Sequence, residues 1–344
     1  MNGRAYILLL AASVTCAPAS AQQRIVDGAG RAVELPTRVE RVYAAGPPAS
    51  MLVFAIAPDK LLGWTRAFRP NEAAFVAPKY GALPELGRLT GRGNTANVEV
   101  LLQLKTDLVV DAGSTAETYV SLANRVQQQT GIPYLLLDGR LDAIPASLRT
   151  LGRALGEATR GAMLADYVES ALKDVKARVA QVKPEDRPRV YYGRGPAGLQ
   201  TGLAGSINVE LLDYLGARNV AAEGRGGLAQ VSLEQVLAWD PQVILTTDPN
   251  FYAAVWKDAR WQGVAAIRSK RVHLAPHLPF GWFDFPPGVN RVLGLYWAGL
   301  LLYPQAFPAD LRARVAEFHR LFYHQAPTEA QLDALLGEPG VLPR

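Results

Sequence analysis

Hydrophobic and polar positions follow the same order in two separate stretches of the chain, 97–110 (NVEVLLQLKTDLVV) and 232–245 (SLEQVLAWDPQVIL). Each stretch opens with a residue that can cap a helix, followed two positions later by a glutamate, Glu99 or Glu234. Apolar residues then recur at helical spacing, and a final apolar run is typical of a buried strand. The pattern predicts a helix-to-strand unit that occurs twice.

Further strand signals surround each copy of this unit. The segments RVYAAGP (41–47) and RVYYGRGP (189–196) are typical of a strand followed by a turn, and GIPYLLLD (131–138) and KRVHLAP (270–276) of a buried last strand. Because strands that alternate with helices form parallel sheets covered on both faces, we predict an α/β protein. The duplication predicts two lobes, each a mostly parallel sheet flanked by helices.

A long amphipathic stretch lies between the two halves of the chain. Small or apolar residues recur there in steps of three and four from Ala162 to Val182. We predict one linking helix over 159–183, about 36 Å long for about 24 residues. It would join an N-terminal lobe (22–158) to a C-terminal lobe (184–344), and two amphipathic segments after Pro304 would close the second lobe.

The first 21 residues have the pattern of a secretory signal peptide. Arg4 precedes a short apolar run, and Ala19-Ser20-Ala21 is a small-residue cleavage site, so we expect export to the periplasm with cleavage after Ala21. The alternatives are an uncleaved anchor, for which the apolar run is short, and lipidation of Cys16, whose preceding residues fit poorly. After the leader no apolar run is long enough for a membrane span.

Composition narrows the chemistry of the exported chain. Hydrophobic residues make up 49% and charged residues 19%, the balance of a globular protein. Cys16 is the one cysteine, so cleavage would remove any basis for a thiol nucleophile, a zinc–thiolate site or a disulfide framework. The net charge of +5 has no clustered basic stripe, which argues against nucleic-acid binding. Motifs of nucleotide-binding loops, serine hydrolases and zinc proteases are missing, and we expect no enzyme.

The whole chain after the leader resembles the periplasmic substrate-binding proteins of ABC importers for ferric siderophores, haem, cobalamin and related metal chelates. The resemblance rests on the opening RIVDGAGRAVELPTRVERV, on LGLYWAGLLLYPQAF and above all on the duplicated motif, which this family carries once in each lobe. Thr106 departs from the family pattern, which has proline there. The resemblance implies two α/β lobes joined by one helix (class III), a monomer, and delivery of ligand to a permease dimer with a cytoplasmic ATPase.

The resemblance also assigns a role to the two glutamates. In cobalamin and siderophore members the glutamate of each motif docks the permease, which by position implies Glu99 and Glu234. A carboxylate at the start of a rigid helix can accept paired hydrogen bonds from arginine. The alternative is purely structural, because the helix dipole alone favours an acidic residue in the first turn.

Ligands of open α/β sheets bind beyond the carboxyl ends of the strands, so we expect the ligand contacts in the turns that follow each predicted strand. Two arginines there suit a flat anionic chelate, and aromatic residues beside them would contact its rings. His277 lies in such a turn and is a candidate contact to a metal complex; whether protein atoms coordinate the metal stays open. The candidate ligand-binding residues are Trp64, Arg66, Tyr192, Arg194, Tyr252, His277 and Trp282.

We therefore predict a binding protein that captures a metal chelate between its lobes, with a ferric siderophore as first choice and no cofactor of its own. Haem and cobalamin come next, then a metal–amino-acid chelate or an oxyanion such as molybdate. The remaining alternatives are a solute sensor or metallophore scavenger without an importer, and an exported hydrolase.

Overall fold

The computed structural model describes residues 23–91, 97–224, 226–307, 310–337 and 341–342, so the predicted leader lies outside the described residues. The described chain opens with an antiparallel pair, β1 (Gln23–Val26) and β2 (Ala32–Leu35). The carboxylate of Asp27 accepts the backbone N–H of Leu136 at 3.2 Å and thereby ties this pair to the first lobe.

The first lobe is built on three parallel strands in the order β3-β4-β5. Their carboxyl ends share one edge of the sheet, because all three strands run the same way. Strands and helices of this lobe are β3 (Val42–Ala44), α1 (Pro47–Ile56), α2 (Pro70–Ala73), α3 (Pro78–Gly81), α4 (Val98–Gln103), β4 (Leu108–Gly113), α5 (Glu117–Thr130), β5 (Tyr134–Asp138) and α6 (Ile144–Ala154).

One helix, α7 (Ala158–Val179), joins the two halves. It ends a few residues before the predicted boundary, and its buried face is the one that the spacing predicts, with Ala165, Val168, Leu172 and Val175 in the core. A Cβ added to Gly161 would lie 2.8 Å from the Cα of Gly152, so α6 and α7 pack backbone against backbone at this point.

The second lobe contains four parallel strands in the order β11-β10-β6-β8 and an antiparallel pair, β7 with β9. Its elements are β6 (Arg189–Gly193), β7 (Gln200–Gly202), α8 (Glu210–Tyr214), β8 (Arg218–Asn219), β9 (Leu228–Gln230), α9 (Leu233–Trp239), β10 (Val243–Thr246), α10 (Pro249–Val255), α11 (Ala265–Arg268), β11 (Val272–Leu274), α12 (Arg291–Leu302), α13 (Leu311–Phe322) and α14 (Glu329–Gly337).

The duplicated unit is confirmed down to the backbone. The helix N-cap side chain accepts a backbone N–H in both copies, Asn97 from Glu99 and Ser232 from Gln235. Each helix is followed by a non-glycine residue with positive φ at the matched position, Lys105 at 49° and Asp240 at 39°. Strands β4 and β10 then occupy interior positions of their sheets. The predicted α/β fold with two lobes is therefore confirmed.

Two local expectations from the sequence pattern, a helix capped by Ser206 that stops at Gly216 and a short strand at 60–65 (KLLGWT), were wrong. The helix expected from Ser206 to Gly216 begins only at Glu210, because the Ser206 hydroxyl forms a hydrogen bond with the Asn208 side chain at 3.1 Å in an irregular loop. The segment 60–65 is not a strand and makes only single bridges, Leu61 to Val42 and Trp64 to Glu85. In the described part of the chain, no helix has both the length and the apolar character that crossing a membrane requires.

Candidate ligand-binding cleft

A cleft of about 740 Å³ lies between the two lobes. The first lobe contributes residues from the carboxyl ends of β4 and β5, as expected for an open α/β sheet. The second lobe contributes the loop before α8, α8 itself and the glycines before β9. Lining residues are Ser114, Thr115, Ala116, Tyr119, Asp138, Arg140, Gly205, Ser206, Ile207, Asn208, Glu210, Asp213, Gly226 and Gly227.

In the first-lobe wall, the charged side chains pair with each other. The guanidinium of Arg140 donates to the carboxylate of Asp138 at 2.5 Å, and the Arg140 backbone N–H donates to the same carboxylate at 3.0 Å. The hydrogen bond from the Arg140 side chain and the Asp138 charge raise the pKa of Arg140. A ligand in the cleft would therefore meet the N–H donors of the Arg140 guanidinium, close to the carboxylate with which Arg140 is paired.

Hydroxyl, amide and carboxylate groups line the second-lobe wall. The Asn208 side chain is held in place by donating to Asp284 at 2.9 Å. Asp213 lies on α8 with Glu210, and burial together with the Glu210 charge raises the pKa of Asp213. This carboxyl group therefore binds a proton more tightly than an ordinary aspartate does.

Arg291 fixes the base of the cleft by joining both lobes. Its side chain is fully buried, and it donates to the Glu210 carboxylate at 2.7 Å and to the backbone carbonyl of Gly139 in the first lobe. The same Glu210 carboxylate accepts the backbone N–H of Leu141 at 3.1 Å. Glu210 thus both lines the cleft and takes part in the contact between the lobes. Its hydrogen bonds hold the base of the cleft in place.

Two of the predicted ligand residues, Arg194 and Tyr192, form a buried network behind this wall. Arg194 pairs with Asp284 at 2.9 Å and donates to Gln200 at 2.7 Å, and the Tyr192 hydroxyl donates to Asp284 at 2.9 Å. Asp284 in turn holds Asn208. Neither of these two residues lines the cleft; they contact its wall through Asp284 and Asn208.

Trp64 and Trp282, two further predicted ligand residues, are buried in the core and do not line the cleft. The Trp64 indole N–H donates to the Tyr80 carbonyl at 2.7 Å inside an aromatic cluster with Phe54. Trp282 is fully buried under α12, where a Cβ on Gly294 would lie within contact of the Trp282 carbonyl oxygen. The exposed aromatic residue of that loop is Phe285, over which the Arg194 guanidinium lies at 5.1 Å.

None of Arg66, Tyr252 and His277 is among the described residues that line the cleft. The Arg66 guanidinium, a predicted ligand contact, donates two hydrogen bonds of 2.7 Å to the Glu72 carboxylate. Tyr252 is half-buried with its ring against Trp256, and His277 is also half-buried. No group of three or more His, Cys, Asp or Glu side chains among the described residues could hold a metal ion.

Glu99 and Glu234 are exposed on the first turns of α4 and α9. In the described part of the chain, neither carboxylate takes part in an ion pair that would satisfy its charge internally. The backbone N–H of Glu234 and the Ser232 hydroxyl lower the pKa of Glu234, which favours its ionised form. Both positions are therefore available to a partner outside the chain.

Sequence reasoning missed the lining residues for a definable reason. The candidate residues all belong to turns that follow predicted strands, and of the lining residues Ser114 and Thr115 also lie in such a turn, after β4. The second-lobe wall comes from loop 205–208, which follows β7, and from Gly226 and Gly227 in the loop between β8 and β9; the sequence pattern predicts neither β7 nor β8 as a strand. Arg225 lies outside the described residues. The two adjacent glycines that follow it, Gly226 and Gly227, were the feature of the sequence that could have indicated a loop at the cleft.

The sequence profile of the periplasmic binding protein family matches residues 68–277. The molybdate-binding protein MolA of Haemophilus influenzae is 26% identical over 336 residues, which cover 89% of this chain and 92% of MolA. The structure of an ABC transporter solute binding protein from Sulfurospirillum deleyianum superposes with a TM-score of 0.82 at 29% identity, covering 91% of this chain and 99% of that one. MolA bound to molybdate superposes with a TM-score of 0.73 at 24% identity, covering 89% and 99%. The chain therefore belongs to the periplasmic binding proteins, the solute-binding components of ABC transporters.

Proposed function

We propose that this protein captures a hydrophilic, oxygen-rich metal chelate of low net charge in the interlobe cleft and delivers it to an ABC permease. A ferric siderophore of the hydroxamate type has this chemistry, because three hydroxamate anions neutralise one ferric ion. The observation that carries the proposal is the lining: hydroxyl, amide, carboxylate and backbone groups, with Tyr119 as its one aromatic side chain among the described residues.

The volume of the cleft supports a chelate. A cleft of about 740 Å³ lies within the range of small-molecule sites, roughly 300–1,000 Å³, and is far larger than a single tetrahedral anion. A flat tetrapyrrole such as haem would need apolar and aromatic faces on both sides, and the predicted aromatic residues Trp64, Tyr192 and Trp282 are buried elsewhere. Size and lining together favour a polar chelate over haem.

Charge separates the kinds of chelate. Arg140 is the one cationic side chain among the described lining residues, and it is already paired with Asp138. Glu210 and Asp213 add acidic groups to the opposite wall. Because a strongly anionic tris-catecholate would bring several negative charges beside these carboxylates, the cleft favours a neutral complex whose amide and oxygen groups exchange hydrogen bonds with it.

A molybdate-type oxyanion is the second candidate. The observation that favours it is the likeness to MolA over almost the full length of both chains. In this case the donors would be Arg140, the hydroxyls of Ser114 and Thr115 and the backbone N–H groups of the lining glycines.

Calorimetric titration against a matched ligand panel tests the proposal: a ferric hydroxamate, a ferric catecholate, haem, cobalamin and sodium molybdate. We expect the ferric hydroxamate to bind tightest, and Asn208→Ala to weaken it about tenfold through loss of one or two hydrogen bonds. The exposed Asn250 provides the control variant Asn250→Ala, which should bind as wild type. Tightest binding of haem or of the catecholate would refute the proposal, and binding of molybdate alone would establish the second candidate.

Delivery is proposed to use Glu99 and Glu234, one on each lobe, as contacts to a permease dimer. Their exposure and their matched positions in the duplicated unit support this role. Changing both residues to alanine should abolish uptake while leaving ligand affinity within a few-fold of wild type. Loss of ligand binding by the purified double variant would assign the two residues to the fold or the cleft instead.

A further inference from the structure

We propose that each docking contact is a pair of side chains, a glutamate and an exposed leucine one helical turn later: Glu99 with Leu102, and Glu234 with Leu237. The proposal rests on the permease docking described above and adds to it an apolar half. Five large hydrophobic side chains are exposed in the described part of the chain: Val26, Leu102, Met163, Leu237 and Phe285. Two of the five occupy the same position of the duplicated unit.

Helix geometry places each leucine beside its glutamate. Residues three apart on a helix are neighbours on one face, with Cβ atoms about 5–6 Å apart. The preceding residue is the one that enters the core in both copies, Leu101 in α4 and Val236 in α9. That anchor turns Leu102 and Leu237 outward, with 54% and 37% of their surface exposed.

The fold accounts only in part for an apolar side chain at these positions: Leu237 lies against Gly263, yet both leucines leave more than a third of their surface exposed. Single exposed leucines are ordinary on protein surfaces, so neither residue alone would carry an argument. The matched pair does, because a polar residue at either position would serve the helix equally well. Both helices also have a side-chain N-cap and a residue with positive φ at the matched position after the helix. The backbone therefore presents each glutamate–leucine pair in an equivalent way.

The partner that fits two equivalent pairs is one with two equivalent sites, a two-fold symmetric permease. Each permease subunit would present a cationic group to the carboxylate beside an apolar pocket for the leucine. An ion pair shielded by neighbouring apolar contact is excluded from water and strengthened, which is the arrangement found at the energetic centres of protein interfaces. The leucine would therefore determine the dissociation rate, and the glutamate the orientation and salt dependence of docking.

The test measures binding of the ligand-loaded protein to its permease–ATPase complex reconstituted in nanodiscs, at several salt concentrations. Leu102→Ser with Leu237→Ser should weaken the complex at least tenfold, mainly through faster dissociation, and should keep the salt dependence of wild type. Glu99→Gln with Glu234→Gln should weaken it and flatten the salt dependence. The matched control is Met163→Ser with Val26→Ser, two exposed apolar residues outside the docking helices, which should bind as wild type.

The outcomes separate this inference from the docking role of the glutamates. If the glutamine variant weakens binding and the serine variant binds within twofold of wild type, the leucine inference is wrong and the docking role stands. If neither variant changes binding, α4 and α9 are not the docking surface and both proposals fail. Ligand affinity and thermal midpoint, measured on each variant, must match wild type, because all four docking side chains are on the surface.

Discussion

Replacing Arg291 by methionine should be among the most damaging single changes available in this protein. Methionine has a similar reach and is apolar, so it fills the space while removing every donor. The fully buried guanidinium donates to the carboxylate of Glu210 and to the backbone carbonyls of Gly288, Ile207 and Gly139. Burial lowers the pKa of Arg291, and the charge of Glu210 opposes that shift.

The magnitude follows from what the methionine would leave behind. Glu210 would keep a mostly buried carboxylate without its counter-ion, and breaking a buried pair in this way costs about 3–5 kcal/mol. Three carbonyl groups would lose a donor as well. The free energy of unfolding should therefore fall by at least 3 kcal/mol, and ligand affinity should fall with it because Glu210 lines the cleft.

Urea titration of the purified variant, with ligand absent, measures the first effect. The matched control is Arg24→Met, which removes an exposed ion pair with Glu34 and should change stability by less than about 0.5 kcal/mol. Adding Glu210→Gln completes a double-mutant cycle, in which we expect a coupling energy of about 1.5–3 kcal/mol. A loss below 1 kcal/mol for Arg291→Met would refute the view that this side chain fixes the base of the cleft.

Two further predictions concern acid stability and lobe motion. Burial lowers the pKa of His319 to about 3, against about 6.5 in the unfolded chain, so the unfolded state binds a proton that the folded state does not and stability falls as pH decreases below about 6.5. Between pH 7.5 and 5.0, the free energy of unfolding of His319→Leu should fall by about 2 kcal/mol less than that of wild type, measured by denaturant titration. The control Phe318→Leu, in the same helix, should lose as much stability as wild type over this pH range. An equal pH dependence in wild type and His319→Leu would contradict the assignment. Because one helix, α7, links the lobes and Arg291 bridges them, ligand should cause a rocking of only a few degrees; a marked compaction in X-ray scattering on ligand addition would show otherwise.

The periodic parts of the chain were predictable from sequence. The duplicated unit, the linking helix and the buried strands each follow from a repeating apolar pattern, and the structure confirms them with boundaries shifted by a few residues. Such elements are set by local spacing, because the same residues that form the helix or strand also bury its face. Val168 and Leu172 are examples: their spacing alone predicts the buried face of α7.

The position of the first-lobe wall at the strand ends was predictable, but the lining side chains were not, because these residues have no period and their partners are distant in sequence. An arginine directly after a strand, such as Arg194, is a fair candidate for an anion contact until its counter-ion is known. That counter-ion is Asp284, far along the chain, and only the folded structure brings the two together at 2.9 Å. Trp282 shows the same limit, since nothing local indicates that α12 will cover it.

The two lobes repeat one surface and not the other, and this difference fits the proposed roles. Glu99 and Leu102 have counterparts of the same type at matched positions in the second lobe. The cleft walls have none: the first comes from the ends of β4 and β5, the second from the loop before α8 and the glycines before β9. A symmetric permease requires the same contact from both lobes, whereas an asymmetric ligand requires two different walls. Substitutions that make the walls alike should therefore impair ligand capture and leave docking intact, and exchanging α4 and α9 between the lobes should leave both functions in place.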